Sequence, residues 1–425
     1  MISQIELTNF KCFQGEHNFP LSRFNLLTGI NGRGKSTFLQ SLLLMKQTVD
    51  YDRKSNYVIL NGSCVQLGNF EDIKNSFASN EDEMKFVFKL LKEANDITPN
   101  QFTASSFNEF HYTFKQDEID DSVAVVNEFS EGIKNGKDFK TWNLTEYKNK
   151  DTFYYKLLGD KYTSKNDIYD FESTFFFENL TRINDNDFVD LFRYIQFISA
   201  DRIGPKNYYE IQNINKDFSW VGAKGENTAS VLLKKKGDEV DEALYLGEDT
   251  NTLLQQTEEW LNFIFDGAKI NINTEGGVVL LSYNTRQGRE RYKPSNVGFG
   301  YSYILPIVVA GLIAQSGEIL IIENPEAHLH PRAQHRLTQF LAKIAATGVQ
   351  IFVESHSEHI LNALRIIAVN PEFEINNTDL SVLYFQDDES QPFIQIPIKI
   401  NGKIENWPDG FFDQTDKDLD TLISF

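Results

Sequence analysis

Residues 29 to 36 read Gly-Ile-Asn-Gly-Arg-Gly-Lys-Ser, the full G-x-x-x-x-G-K-[ST] phosphate loop, directly behind the apolar run Phe24 to Thr28. The run predicts a buried strand, and Phe38, Leu39, Leu42, Leu43 and Leu44 predict a helix after the loop. The order matters physically. Glycines let successive backbone N–H groups curve around phosphate oxygens, and the helix that follows aims its positive end at them. Lys35 is expected to reach the β/γ-phosphates of ATP and Ser36 to ligate Mg²⁺, with Asn31, Gly32, Gly34 and Thr37 completing the cradle.

A phosphate loop alone does not distinguish kinases, GTPases, motors and ABC-type ATPases. The discriminating residues lie near position 320. Ile319 to Ile322 is a short apolar run that ends in Glu323-Asn-Pro-Glu326, which predicts a buried strand delivering two carboxylates at its C-terminal end. Glu323 is expected in the Mg²⁺ shell and Glu326 as the group that polarises the attacking water. A second apolar run, Val349 to Val353, ends at Glu354-Ser-His356, where the imidazole could hydrogen-bond the γ-phosphate. Of the seven histidines, His328, His330, His335, His356 and His359 fall in this stretch. A zinc site is the rival reading, but His328-Leu-His330 has no cysteine cluster beside it.

Between these halves lies Asn296-Val-Gly298-Phe-Gly300-Tyr-Ser302, ahead of the apolar run Ile304 to Ile313. Glycines and a serine before a helix form an anion-binding N-terminus. Gly298, Gly300 and Ser302 are therefore expected to meet a nucleotide phosphate. They take the place of an ABC signature, which contacts the γ-phosphate held by the opposite subunit.

The 425 residues carry a net charge of −20 with 13% aromatics. Such a balance argues against a surface that tracks nucleic-acid phosphates broadly, since that affinity needs clustered Lys and Arg. Cys12 and Cys64 make no disulfide framework. The N-terminus lacks a secretion pattern, and no uncharged apolar run approaches the ~18 residues of a membrane span. A cytoplasmic chain without a membrane segment is expected.

Three segments are expected: residues 1–50 with the phosphate loop, an inserted subdomain at 51–190, and residues 191–425 with the signature, the carboxylates, His356 and a tail. The insert is polar, with alternating runs at Glu109 to Phe114 and Val123 to Phe129 that predict strands. Strands are also expected from Ile195, at Ile270 and at Val278 to Tyr283, with helices over Thr228 to Lys234 and Leu253 to Phe265. The fold class is α/β: a P-loop NTPase head with a mixed sheet flanked by helices and a large inserted α+β subdomain.

The order of phosphate loop, V-G-F-G-x-S, I-I-E-N-P-E-x-H-L-H-P and E-S-H-S resembles the RecF/SMC-like ABC-type ATPases, in particular the OLD-like, AAA-type branch found in bacterial defence. Asn9-Phe-Lys11 resembles the N-F-[KR] element that opens those proteins, and Ser199 to Pro205 their A-x-R-x-G-P segment. Asn406 to Asp413 resembles the W-P-x-G-F-F-D terminus of an ATPase subgroup. One departure is Glu323, where the family more often has Asp.

The resemblance implies ATP hydrolysis with Mg²⁺, Lys11 beside the nucleotide, and a homodimer or higher oligomer closed around ATP. It further implies control of a separate effector, most simply a nuclease, in anti-phage defence, because the stretch after His356 is too short for a Toprim nuclease domain. Asp387-Asp388-Glu389 reads as an acidic hairpin turn between Leu383 and Phe393. The alternative is a RecF-like DNA-repair or DNA-clamping ATPase that touches DNA directly. A transporter subunit is disfavoured by the missing L-S-G-G-Q signature, and a small-molecule kinase would leave the signature and His356 unexplained.

Overall fold

The structure, a computed structural model, describes residues 1–51, 57–79, 81–91, 107–117, 124–133, 138–143, 146–149, 152–155, 191–214, 218–247, 250–285 and 290–424. Much of the expected insert, residues 92–106 and 156–190 among it, lies outside them, as does Val123 at the start of one expected strand. The first ten strands are β1 (Ile2–Phe10), β2 (Phe13–Pro20), β3 (Phe24–Gly29), β4 (Tyr57–Val58), β5 (Met84–Leu91), β6 (Phe107–Gln116), β7 (Ala124–Ile133), β8 (Asp138–Asn143), β9 (Glu146–Asn149) and β10 (Thr152–Tyr155). The others are β11 (Ile195–Ile198), β12 (Tyr209–Glu210), β13 (Lys269–Glu275), β14 (Val278–Asn284), β15 (Ile319–Glu323), β16 (Gln350–Glu354), β17 (Leu380–Phe385) and β18 (Phe393–Gln395). Helices are α1 (Lys35–Tyr51), α2 (Phe70–Ile73), α3 (Thr228–Lys235), α4 (Leu253–Phe265), α5 (Phe299–Ile313), α6 (Pro331–Ala346), α7 (Glu358–Ile367) and α8 (Gln414–Ile423).

The chain divides into two compact units. Met1–Leu21 with Ser36–Arg193 forms the first, and Ser22–Lys35 with Tyr194–Phe425 the second. Segment 1–50 is therefore shared between them. Its first two strands join the sheet of the first unit, while its phosphate-loop strand joins the sheet of the second. The first unit is built on an antiparallel sheet of order β2-β1-β5-β6-β7-β4, with β8 also paired to β7. One face of it is lined by aromatic rings, with Phe86 4.8 Å from both Phe10 and Phe114.

The second unit centres on a sheet of order β11-β15-β16-β3-β17-β18. From β11 to β17 all neighbours are parallel, and only β18 runs against its partner. Parallel strands covered on both faces read as continuous apolar runs rather than alternating ones. Ile-Leu-Ile-Ile in β15 and Gln-Ile-Phe-Val in β16 are buried throughout. Helix α5 is apolar on every side, and most of its length is buried. Helix α6 starts cleanly: His330 caps it by accepting the Arg332 N–H, and Pro331 takes the first position, where no N–H is needed. The result is a mixed α/β fold whose sheets are flanked by helices.

Because those strands are parallel, their carboxyl ends share one edge. Gly29, Ser199, Glu323, Glu354 and Phe385 all arrive there, with Glu323 opposite Glu354 and Phe385 opposite Gly29. In open parallel sheets this is the edge where ligands bind.

Candidate active site

The phosphate loop begins at a glycine that admits no substitute. Gly29 sits at φ +123°, and a Cβ there would lie 2.1 Å from the carbonyl oxygen of Phe385. The same carbonyl accepts the Ile30 N–H at 2.9 Å, so β17 fixes where the loop starts. Gly32 is also left-handed, at φ +76°, but a Cβ on it meets nothing, so the space over the loop is open. Lys35 opens α1, is 3% exposed, and donates from Nζ to the carbonyls of Gly29 at 3.1 Å and Ile30 at 2.9 Å. Burial pushes its pKa down and the Glu354 carboxylate opposes this. Asn31, Gly32 and Arg33 are exposed and Gly34 is buried. Arg33 pairs with Asp387 at 2.8 Å.

Ser36 and Thr37 follow in the first turn of α1. In the first unit, Cys12 Sγ donates to Thr37 Oγ1 at 3.7 Å, and Lys11 Nζ donates to Gln40 Oε1 at 2.8 Å. Lys11 sits at φ +51°, and burial lowers its pKa.

The two carboxylates after β15 are held differently. Glu323 Oε2 accepts the Ala200 N–H at 3.0 Å. Burial raises its pKa, opposed by that hydrogen bond and by Arg202. Asn324 then turns at φ +44°, with its N–H on the Glu354 carbonyl at 2.8 Å, and the chain brings Glu326 round. Glu326 Oε1 accepts the His356 N–H at 2.9 Å, while Oε2 is enclosed without a hydrogen-bond partner among the described residues. His356 itself is exposed, and burial of its ring together with the Lys35 ammonium holds its pKa below the usual 6.5, with Glu326 opposing. Lys35, Glu323, Glu326 and His356 therefore converge on one edge. An enclosed carboxylate oxygen with nothing to accept is suited to a water, and an ammonium resting on two loop carbonyls is suited to an arriving phosphate. No group of three or more His, Cys, Asp or Glu side chains able to hold a metal ion occurs among the described residues.

The expected signature residues separate. Gly298 caps α5, is exposed, and has open space where a Cβ would be. Gly300 faces inward instead: a Cβ on it would lie 3.1 Å from the His328 carbonyl and 3.3 Å from Leu329. Ser302 is 5% exposed, and its hydroxyl is enclosed. Of the three, only Gly298 is exposed; Gly300 and Ser302 are buried at different positions around a helix that is packed over most of its surface.

Arg202 belongs to this edge as well, although the residue types alone assigned it no role. It is 3% exposed and donates from Nη1 to the Glu323 carbonyl at 3.2 Å and from Nη2 to the Asn324 carbonyl at 2.6 Å. A single arginine behind a four-residue strand carries no local pattern that marks it. The one signal available was its place in the quoted Ser199 to Pro205 segment.

Among the described residues no helix is long and apolar enough to cross a membrane. A curated relative, the energy-coupling factor transporter ATP-binding protein EcfA2 of Ureaplasma parvum serovar 3, is 29% identical over 94 residues. That match covers 21% of this chain and 22% of the relative, so the chain spans under a quarter of the length of the protein it matches. Similar solved structures include an Smc head bound to the C-winged helix domain of ScpA, with 11% identity over 93% of this chain and 98% of that one at a TM-score of 0.47. The SMC head domain from Thermotoga maritima has 10% identity over 94% and 99%, with a TM-score of 0.41. An Smc head domain with an extended coiled coil, bound to the C-terminal domain of ScpA derived from Pyrococcus furiosus, has 11% identity over 99% of each chain, with a TM-score of 0.48. Residues 375–422 match a family described as a protein of unknown function (DUF3696). Residues 1–361 match the family model described as AAA ATPase domain, and with that share of its length matched the chain belongs to the AAA ATPase domain family.

Proposed function

We propose that this chain hydrolyses ATP as an ABC-type ATPase of the RecF/SMC-like kind, closing with a second copy around the nucleotide and controlling a partner effector. The observation that carries the reading is Glu326. One oxygen is pinned by the His356 N–H, and the other is enclosed and unpartnered among the described residues, at the edge where the phosphate loop begins. Such a carboxylate is pre-oriented to take a proton from water. Mg²⁺, with Glu323 among the groups that would hold it, would supply charge neutralisation on the phosphates.

The chain's own groups do the rest. Lys35 exchanges its two carbonyl partners for phosphate oxygens, a gain of charge-assisted hydrogen bonds. His356, neutral at pH 7 because its pKa is lowered, can donate one ring N–H to the γ-phosphate without adding a second cation beside Lys35. The exposed cap at Gly298 offers the N–H groups of the first turn of α5 to a phosphate held by another copy.

The effector is proposed to be a separate protein, a nuclease, in anti-phage defence. Support comes from the motif resemblance and from the charge of −20, which steers basic proteins more readily than bare DNA. The test is light scattering and phosphate release with Glu326→Gln: with ATP and Mg²⁺ the variant should gain mass and turn over far more slowly. A mass unaffected by nucleotide would sink the closed dimer, and salt-dependent DNA binding by the isolated protein would favour a RecF-like activity on DNA instead.

A further inference from the structure

We propose that Arg202 is a positioning residue for Glu326, tying the first turn of α5 to the turn that carries this carboxylate. The inference rests on the ATPase reading above. Arg202 enters from the end of β11 and grips two successive carbonyls, Glu323 and Asn324, with its two terminal nitrogens. Those carbonyls belong to the left-handed turn that swings the chain from β15 to Glu326, and a planar guanidinium holds them with two separate nitrogens in a fixed fork. Its Nε is buried and unpartnered, as is Glu326 Oε2. Glu326 is the largest charge acting to keep Arg202 protonated against its burial. Arg202 Nε and Glu326 Oε2 are thus complementary polar atoms on two groups that attract one another.

The other face of Arg202 meets α5. Its guanidinium lies 5.2 Å from the ring centre of Tyr303, and the Tyr303 ring stands edge-on to His328 at 4.8 Å. Phe299, in the first turn of the helix, lies 5.3 Å from the same imidazole. His328 is two residues beyond Glu326 and, like Asn324, is left-handed at φ +63°. The turn from 324 to 328 thus holds its strained shape through Arg202 on one side and the α5 rings on the other. A displacement of the first turn of α5, where Gly298 offers its anion site, shifts the support of Glu326. Cooperative turnover follows: a phosphate engaged at Gly298 stiffens the hydrolytic carboxylate of the same chain.

Turnover, nucleotide affinity and melting temperature of four variants test this. Arg202→Gln should lower kcat by about 10- to 100-fold, the scale of a misplaced reacting group, with KM within about twofold. Arg202→Lys should recover only part of the loss, because a single nitrogen on a flexible stem replaces the two nitrogens of a rigid fork. Tyr303→Leu, which leaves Arg202 in place, should lower kcat by about threefold at unchanged affinity, in line with a cation–π contact. The deciding variant is Arg202→Gln combined with Glu326→Gln, which should turn over no more slowly than Glu326→Gln alone. Additive losses in that double variant, or KM rising in step with the fall in kcat, overturn the positioning role while leaving the ATPase reading intact. Wild-type protein that fails to release phosphate from ATP overturns both.

Discussion

Glu326 Oε1 accepts the backbone N–H of His356 at 2.9 Å, a bond between residues 30 apart in sequence that joins the ends of two adjacent parallel strands. It orients one carboxylate oxygen, while the other is enclosed without a hydrogen-bond partner among the described residues. Glu326→Gln keeps the acceptor for the His356 N–H and removes the proton-accepting charge. Phosphate release should fall about 100-fold or more, with ATP affinity within about threefold of wild type in a fluorescent-nucleotide titration. Near-normal phosphate release from the variant would remove Glu326 from the chemistry.

Lys35→Ala removes the ammonium that rests on the Gly29 and Ile30 carbonyls. Charge-assisted bonds to phosphate are worth ~2 kcal/mol, so ATP should bind about 30-fold more weakly. Calorimetric titration reads this directly. The fold should persist, because the freed carbonyls lie at an open edge where water can replace the lost donor.

His356 gives a pH dependence. Burial and Lys35 lower its pKa from 6.5, so the ring is neutral at pH 7 and takes up a proton only as the pH falls through that lowered value. Protonation adds positive charge beside Lys35 and changes the donor pattern offered to the γ-phosphate. In a kcat profile the acid limb assigned to this ring should therefore lie below pH 6.5, and His356→Ala should abolish that limb while slowing turnover about tenfold. An acid limb that survives in the variant belongs to another group.

Gly298 and Gly300 should respond differently to the same change. Gly298→Asp adds a carboxylate in open space at an exposed helix N-terminus, which stabilises the helix by about 0.5 kcal/mol and repels an arriving phosphate. Gly300→Asp drives its Cβ to 3.1 Å from the His328 carbonyl, a crowding that costs about 1–3 kcal/mol. Melting curves should show the first variant unchanged or higher and the second lower, with turnover impaired in both. Equal melting temperatures would mean that Gly300 is not packed as described.

What could be read from residue order was local chemistry and element type. The phosphate loop, the apolar runs of β3, β15 and β16, and helix α4 over Leu253–Phe265 announce themselves because each satisfies a short-range rule: glycine spacing, continuous burial, or 3.6-residue periodicity. The edge where Lys35, Glu323, Glu326 and His356 meet was legible for the same reason, since each closes or follows a strand. Tertiary structure decided the rest. Parallel pairing put those strand ends on one edge, and β17 set the start of the phosphate loop through Phe385. Packing around α5 buried Gly300 and Ser302 while leaving Gly298, at its cap, exposed. Arg202 gained its place in the same way, because a buried guanidinium is recruited by carbonyls more than a hundred residues away in sequence. Such partners are chosen by the geometry of packing, which no local pattern in the chain encodes.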